Sequence, residues 1–245
     1  MTTNQKTALV TGGSRGIGAA IAQRLARDGF TVLVNFSGTP AEAESLVRKI
    51  EAAGGHATTA QADVSDSAAV KRMFDAAEAA YGGIDVVVNN AGIMKLATVA
   101  ESDDALFDSQ IAVNLKGTFN LLREASRRLR NGGRIINLSS SVVGLYQPTY
   151  AVYAATKAGV EAFTHILSKE LRGRNITVNA VAPGPIATDL FLKGKPQDVV
   201  EELAKLAPLE RLGQPEDVAS VVSHLASADG AWINGQVLRV NGGIV

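Results

Sequence analysis

"TALVTGGSRGIGAAIAQRLARDG", residues 7–29, changes rhythm in the middle. Thr7 to Thr11 is a short β-branched and apolar run, the pattern of a buried strand. From Ile17 the apolar residues recur at three- to four-residue spacing and the stretch closes on Gly29, which predicts an amphipathic helix and its stop. Between them lies the glycine-rich "TGGSRGIG", residues 11–18. A strand turning directly into a helix N-terminus presents free backbone N–H groups and the positive end of the helix dipole, which suit a pyrophosphate. Gly12, Gly16 and Gly18 allow a tight turn and a close approach, with Ser14, Arg15 and Ile17 alongside them. The spacing departs from G-x-G-x-x-G, so a structural β–α turn with incidental glycines is the alternative.

The same alternation runs outward along the chain. Further strand candidates are "TVLVNF" (31–36), "HATTAQADV" (56–64), "IDVVVNN" (84–90), "RIINLSS" (134–140), "ITVNAVAPG" (176–184) and "QVLRVNGG" (236–243), with helical patterns such as "AEAESLVRKIEAAGG" (41–55) between them. Strands rich in Val and Ile without polar alternation are buried on both faces, as in a parallel sheet covered by helices. The expectation is an α/β doubly wound Rossmann fold, with seven parallel strands and helices on both faces. No linker or repeat divides the chain, so residues 1–245 read as a single dinucleotide-binding catalytic domain. Pro183, Pro185 and Pro196 with Gly184 and Gly194 make 182–198 an irregular segment, a candidate lid.

Composition narrows the function. The 245 residues hold 24 basic and 24 acidic side chains, so no global field favours nucleic acid or an anionic membrane. There are no cysteines, which excludes disulfides and thiolate-bound metal, and His56, His165 and His224 are too scattered for a metal site. The N-terminus has no basic, apolar leader pattern, and no window reaches the length of a membrane span. A cytoplasmic protein acting on small molecules, without metal, is the expectation.

At the end of the second strand, an NAD-preferring site would place an acidic residue on the ribose 2′-hydroxyl. Asn35, Phe36 and Ser37 stand there instead, with no charge to repel a 2′-phosphate, and Arg15 can pair with it. NADP(H) is therefore expected over NAD(H); the alternative is a solvated Arg15 and a site indifferent between the two.

Three of the four tyrosines crowd into "GLYQPTYAVYAATKAG", residues 144–159, beside Lys157. Helical spacing runs through "TYAVYAATKAGVEAFTHILSKEL", with Thr149 as a candidate N-cap. Tyr153 and Lys157 are one turn apart on the same face, whereas Tyr150 lies about 10 Å along the axis from Lys157. An ammonium beside a phenol stabilises the phenolate and lowers its pKa. An ordinary amphipathic helix remains the alternative reading of the pair alone. "INLSSSVVG" and "VVVNNAG" end neighbouring strands at the carboxyl side of the sheet, where ligands bind in such folds.

Together these residues resemble the short-chain dehydrogenase/reductase family over essentially the whole chain, close to its 3-oxoacyl-[acyl-carrier-protein] reductases. The matching motifs are "TGGSRGIG", Asp63–Val64, "NNAG" (89–92), Asn114 in "IAVNLKG", the serines at 139–141, "YAATK" (153–157) and "PGPIAT" (183–188). The resemblance implies that Tyr153 is the general acid in carbonyl reduction and the base in alcohol oxidation. It implies that Lys157 lowers the tyrosine pKa and holds the nicotinamide ribose, and that Asn114 kinks its helix and anchors a water on a proton relay. Asp63 and Val64 would flank the adenine, Asn90, Ala91 and Gly92 the adenosine ribose and phosphate, and Pro183, Gly184, Ile186 and Thr188 the carboxamide and phosphate. The family serine lies thirteen residues before the tyrosine, selecting Ser140, or three before a glycine, selecting Ser141. Ser140 is preferred.

Met94, Tyr146, Tyr150 and Phe191 are candidate walls of an apolar substrate pocket. The expected substrate is a small carbonyl compound or its alcohol. A dedicated 3-oxoacyl-carrier reductase is the near alternative, with "REASRRLR" (123–130), Arg172 and Arg174 offering basic contacts to an acyl-carrier protein. A non-catalytic cofactor-binding sensor is the distant one, and the intact Ser140, Tyr153 and Lys157 argue against it. The helical stretches 102–130 and 150–172, with the C-terminal segment, resemble surfaces through which the family forms homotetramers.

Overall fold

A computed structural model describes residues 5–245; residues 1–4, counted within the expected domain, lie outside the described residues. All seven expected strands form: β1 (Thr7–Val10), β2 (Thr31–Phe36), β3 (His56–Gln61), β4 (Val86–Asn89), β5 (Arg134–Leu138), β6 (Thr177–Pro183) and β7 (Val237–Val240). They make one sheet in the order β3-β2-β1-β4-β5-β6-β7, and every pairing is parallel. Leu9 pairs with Leu33 on one side and Val87 on the other, so β1 lies at the point where the chain order reverses. In such sheets that reversal opens a crevice at the carboxyl ends of the strands.

Side-chain alternation divides the strands between two cores. Ala8, Val10, Val32, Val34, Val86, Val88 and Ile136 pack with α1 (Gly16–Arg27), α2 (Ala41–Ala52) and α10 (Pro215–Ala226) on one face. Leu9, Leu33, Val87 and Ile135 pack on the other against α3 (Ser67–Tyr81), α5 (Gly117–Arg128) and α7 (Ala151–Glu170). Both faces of each central strand are apolar, which is why these strands read as unbroken runs in the sequence.

Three local expectations are corrected. The stretch read as one helix over 102–130 is α4 (Asp104–Gln110), a π-helical turn at Ile111–Lys116, and then α5. Asn114, fully inside that turn, sends its amide across to Ile93, donating to its carbonyl at 2.9 Å and accepting from its N–H at 2.8 Å. A tertiary bond of this kind favours the wider turn. Thr149 is not the N-cap of α7: its φ of 71° is left-handed, Tyr150 takes the cap position, and the helix starts at Ala151. The segment 182–198 is not wholly irregular, since it includes α8 (Asp189–Leu192) and the start of α9 (Gln197–Lys205). Pro183 closes β6, and Pro196 stands at the N-cap of α9, where a missing N–H costs nothing. Between β5 and α7 lies the short α6 (Val142–Leu145). Among the described residues, no helix is long and apolar enough to cross a membrane.

Candidate active site

The glycine turn at the carboxyl end of β1 is shaped by close backbone contacts. Gly12 and Gly16 have φ of 57° and 53°, where a side chain is strained. A Cβ on Gly18 would fall 2.2 Å from the Gly12 carbonyl oxygen, so only glycine lets α1 start this near the turn. The Asn90 amide donates to the Thr11 and Gly12 carbonyls at 2.9 and 3.0 Å, while the N–H groups of Asn90 and Ala91 donate to Thr11 Oγ1 at 3.0 and 3.1 Å. With the turn tied back to β4 in this way, α1 follows Arg15 at its N-cap with no side-chain cap and no acidic residue in its first turn. Its N–H groups and dipole face the crevice unopposed. Ser14, Ile17 and the exposed Arg15 stand at the same edge.

At the end of β2 the expected residues divide. Asn35, read as facing a 2′-phosphate, is buried scaffold instead. Its amide donates to the carbonyls of Ala60 and Ala62 at 2.9 and 3.0 Å and accepts from the Gly12 N–H at 3.3 Å. Phe36 is likewise packed into the core. Strand alternation and the last ladder contacts with β3 turn both inward; of the three only Ser37 is exposed, as is Arg15, which makes no ion pair among the described residues. Asp63 is exposed and accepts from the N–H and hydroxyl of Ser65, both at 2.8 Å. The Val64 side chain is buried, so at the crevice it offers backbone alone.

The next strand ends bring the reactive side chains together. Lys157 is buried, and its ammonium donates to the Leu138 carbonyl at 2.7 Å. Its Nζ lies 5.7 Å from the centre of the Tyr153 ring. A Cβ on Gly92 would sit 3.3 Å from Asn114 Oδ1 and 3.7 Å from Lys157 Nζ, which places the "NNAG" backbone against both. The Asn114 side chain, however, is committed to Ile93 and, at 3.3 Å, to Thr156.

The serines sort by their partners. Ser139 donates to Glu161 at 2.7 Å, and Ser141 donates to the Ala182 carbonyl at 3.1 Å and accepts from the Asn241 amide at 3.0 Å. Both are buried. Ser140 faces the Tyr153 phenol, where its hydrogen bond works against the effect of burial. Burial is the larger effect and pushes the Tyr153 pKa up to about 12. The direction is thus set by burial and not by the Lys157 expected to lower it. Burial also brings Lys157 down to about 8, and its ammonium is directed at Leu138 rather than at the phenol.

Beyond these groups the crevice widens into an apolar cleft of about 170 Å³, open to solvent. Met94, Tyr150 and Phe191 line it, with Tyr150 edge-on to Tyr153 at 6.5 Å between ring centres. Tyr146 does not: it is 81% exposed, turned outward by a left-handed φ of 49° at the end of α6. Its neighbours Leu145 and Gln147 face the cleft in its place. Pro183, Gly184, Ile186 and Thr188 form the opposite rim. Leu203, Leu206 and Ile244 also line the cleft and escaped the sequence reading. The amphipathic spacing of "DVVEELAKLA" could have flagged the two leucines; nothing local marks Ile244.

A doubly wound sheet with an uncapped helix over a glycine turn, and a tyrosine, serine and lysine at the next strand ends, defines an oxidoreductase of the dinucleotide-dependent class. A family model described as Enoyl-(Acyl carrier protein) reductase matches residues 12–245. The chain is 44% identical over 254 residues to the NADPH-dependent aldehyde reductase-like protein, chloroplastic, of Arabidopsis thaliana, covering 98% of this chain and 94% of that one. It is 42% identical over 241 residues to the 3-oxoacyl-[acyl-carrier-protein] reductase FabG of Staphylococcus aureus, covering 98% of each. A solved short chain dehydrogenase from Burkholderia cenocepacia in complex with NADP matches with a TM-score of 0.92 at 36% identity, over 98% of each chain. The chain belongs to the short-chain dehydrogenase/reductase family and is an oxidoreductase.

Proposed function

We propose that this protein reduces uncharged aldehydes and ketones to alcohols, and runs the reverse oxidation, with NADP(H). The observation that supports it most is the meeting of Ser140, Tyr153 and Lys157 at the crevice, beside an uncapped helix N-terminus. The residues fit a dinucleotide: the glycine cradle admits no side chain at Gly18, and Lys157 has donors beyond the one given to Leu138. Gly12, Ser14, Gly16, Ile17 and Gly18 would hold the pyrophosphate, Arg15 and Ser37 the 2′-phosphate, Asp63 the adenine, Gly92 and Lys157 the nicotinamide half, and Ile186 and Thr188 the carboxamide side. When bound, the reduced nicotinamide supplies the hydride.

The chain's own residues then manage the oxygen. Ser140 and Tyr153 donate hydrogen bonds to the carbonyl oxygen and stabilise the negative charge that develops there. Tyr153, held protonated at neutral pH, gives up its proton to that oxygen. The Lys157 ammonium stabilises the phenolate left behind, and a water held near Asn114 returns a proton through Lys157.

A second reading, reduction of a 3-oxoacyl chain on a carrier protein, draws on the similarity to the Staphylococcus aureus enzyme. The basic run 123–130 lends it less than expected. Arg128 is spent on Asp75, Glu78 and Glu124, Arg130 on Asp85, and Arg123 stacks on Phe119. For assembly, exposed Phe107, Phe119 and Ile166 on α4, α5 and α7 support a homotetramer. NADPH consumption across aldehydes, ketones, and 3-oxoacyl thioesters on and off a carrier protein separates these readings. The first expects turnover of simple carbonyls that Tyr153→Phe abolishes; NADPH binding without turnover of any of them would sink it and favour a sensor.

A further inference from the structure

The loop before α7 is bent so as to present one side chain. Tyr146 and Thr149 both hold left-handed φ, 49° and 71°, a region non-glycine residues seldom occupy. Thr149 is fastened by its carbonyl, which accepts from the Ala97 N–H at 3.1 Å in the segment that follows Met94. Tyr146 points to solvent, and Gln147 is carried into the cleft wall between Leu145 and Tyr150. Its side-chain amide has no hydrogen-bond partner among the described residues. An amide keeps one acceptor and two donors available, and in an apolar pocket a few such groups set ligand orientation. Charge cannot do so here, because Lys157 is the only charged side chain among those lining the cleft.

Building on the reading of this site as a carbonyl reductase, we propose that Gln147 is a specificity-determining residue that hydrogen-bonds a second oxygen of the substrate. The preferred substrates are then uncharged apolar carbonyl compounds that carry another carbonyl or hydroxyl oxygen. Sites built to bond a polar group discriminate against analogues lacking it, since the protein group is otherwise left unpaired.

The test compares kcat/KM with NADPH for 2-hexanone and for 2,3-, 2,4- and 2,5-hexanedione, in the wild type, Gln147→Met and Gln147→Leu. Each preference is a ratio measured on the same protein, so folding yield cancels. The expected result is that the preference for at least one dione over 2-hexanone falls about five- to tenfold in both variants, while 2-hexanone itself is still reduced. Unchanged ratios for all three diones, with activity retained, overturn the assignment alone. Variants inactive on all four compounds also overturn it, by making Gln147 necessary to the reaction or the fold. A wild type that reduces none of the four removes the carbonyl-reductase reading along with it.

Discussion

The Lys157 ammonium and the Leu138 carbonyl are 2.7 Å apart, a hydrogen bond that joins α7 to the end of β5 beneath Tyr153. The bond satisfies one of three donors on a charge that burial disfavours, and the lysine pKa falls from 10.5 to about 8. Between those values the unfolded chain holds a proton that the folded chain has released, so this group makes stability rise with pH across that window. Below pH 8 both states are protonated and the folded protein bears the full cost of the buried charge. Lys157→Met should therefore be more stable at pH 7 by on the order of 1–3 kcal/mol, with the gain shrinking as pH climbs through the window. Urea denaturation at several pH values measures this; a gap that stays constant with pH contradicts it. The same variant should lose at least about 100-fold in kcat/KM.

Ser140 and Ser141 should separate by the kind of damage their loss does. On the proposed mechanism Ser140→Ala removes a donor to the reacting oxygen, and it should lower kcat about 100-fold with little change in melting temperature. Ser141→Ala removes bonds to Ala182 and Asn241 and should cost about 1–2 kcal/mol of stability. Kinetics and thermal melts on both variants decide it, and the opposite pattern would move the catalytic role to Ser141.

Arg15 stands exposed at the uncapped start of α1 without an ion pair among the described residues. Arg15→Ala should raise the KM for NADPH roughly tenfold and leave that for NADH nearly unchanged. Equal effects on both cofactors would show that the arginine does not select the 2′-phosphate.

Gly18→Ala would drive a methyl to within 2.2 Å of the Gly12 carbonyl, a backbone atom that cannot step aside without opening the turn. The expected outcome is a loss of several kcal/mol of stability or a protein that no longer binds dinucleotide. Isothermal titration with NADPH, alongside a thermal melt, checks it; wild-type values in both would show that the turn can yield.

The strands were legible because burial on both faces writes itself as continuous Val and Ile, visible without tertiary knowledge. Tyr153 and Lys157 were legible for a similar reason, since one helical turn fixes their adjacency. What their adjacency does to the phenol was not. The shift depends on how much solvent each group loses and on where the ammonium points, and Leu138 is remote from both in sequence. Tyr146 was misjudged because a single left-handed residue reverses which neighbour faces inward. Helical spacing alone did not show the π-helical turn, because its partner, Ile93, is twenty-one residues upstream of Asn114; only the family resemblance pointed to a kink there.

Asn35 stitches three pieces of backbone together, the ends of β2 and β3 and the glycine turn, from a position within two residues of Ser37. On the proposed reading of Ser37 as a 2′-phosphate contact, rigidity and cofactor choice fall to different residues of one short stretch. Ser37 is exposed and bears none of that load, so on the same reading it forms a dial that engineering, or drift, can turn toward the other dinucleotide while the crevice beneath keeps its shape.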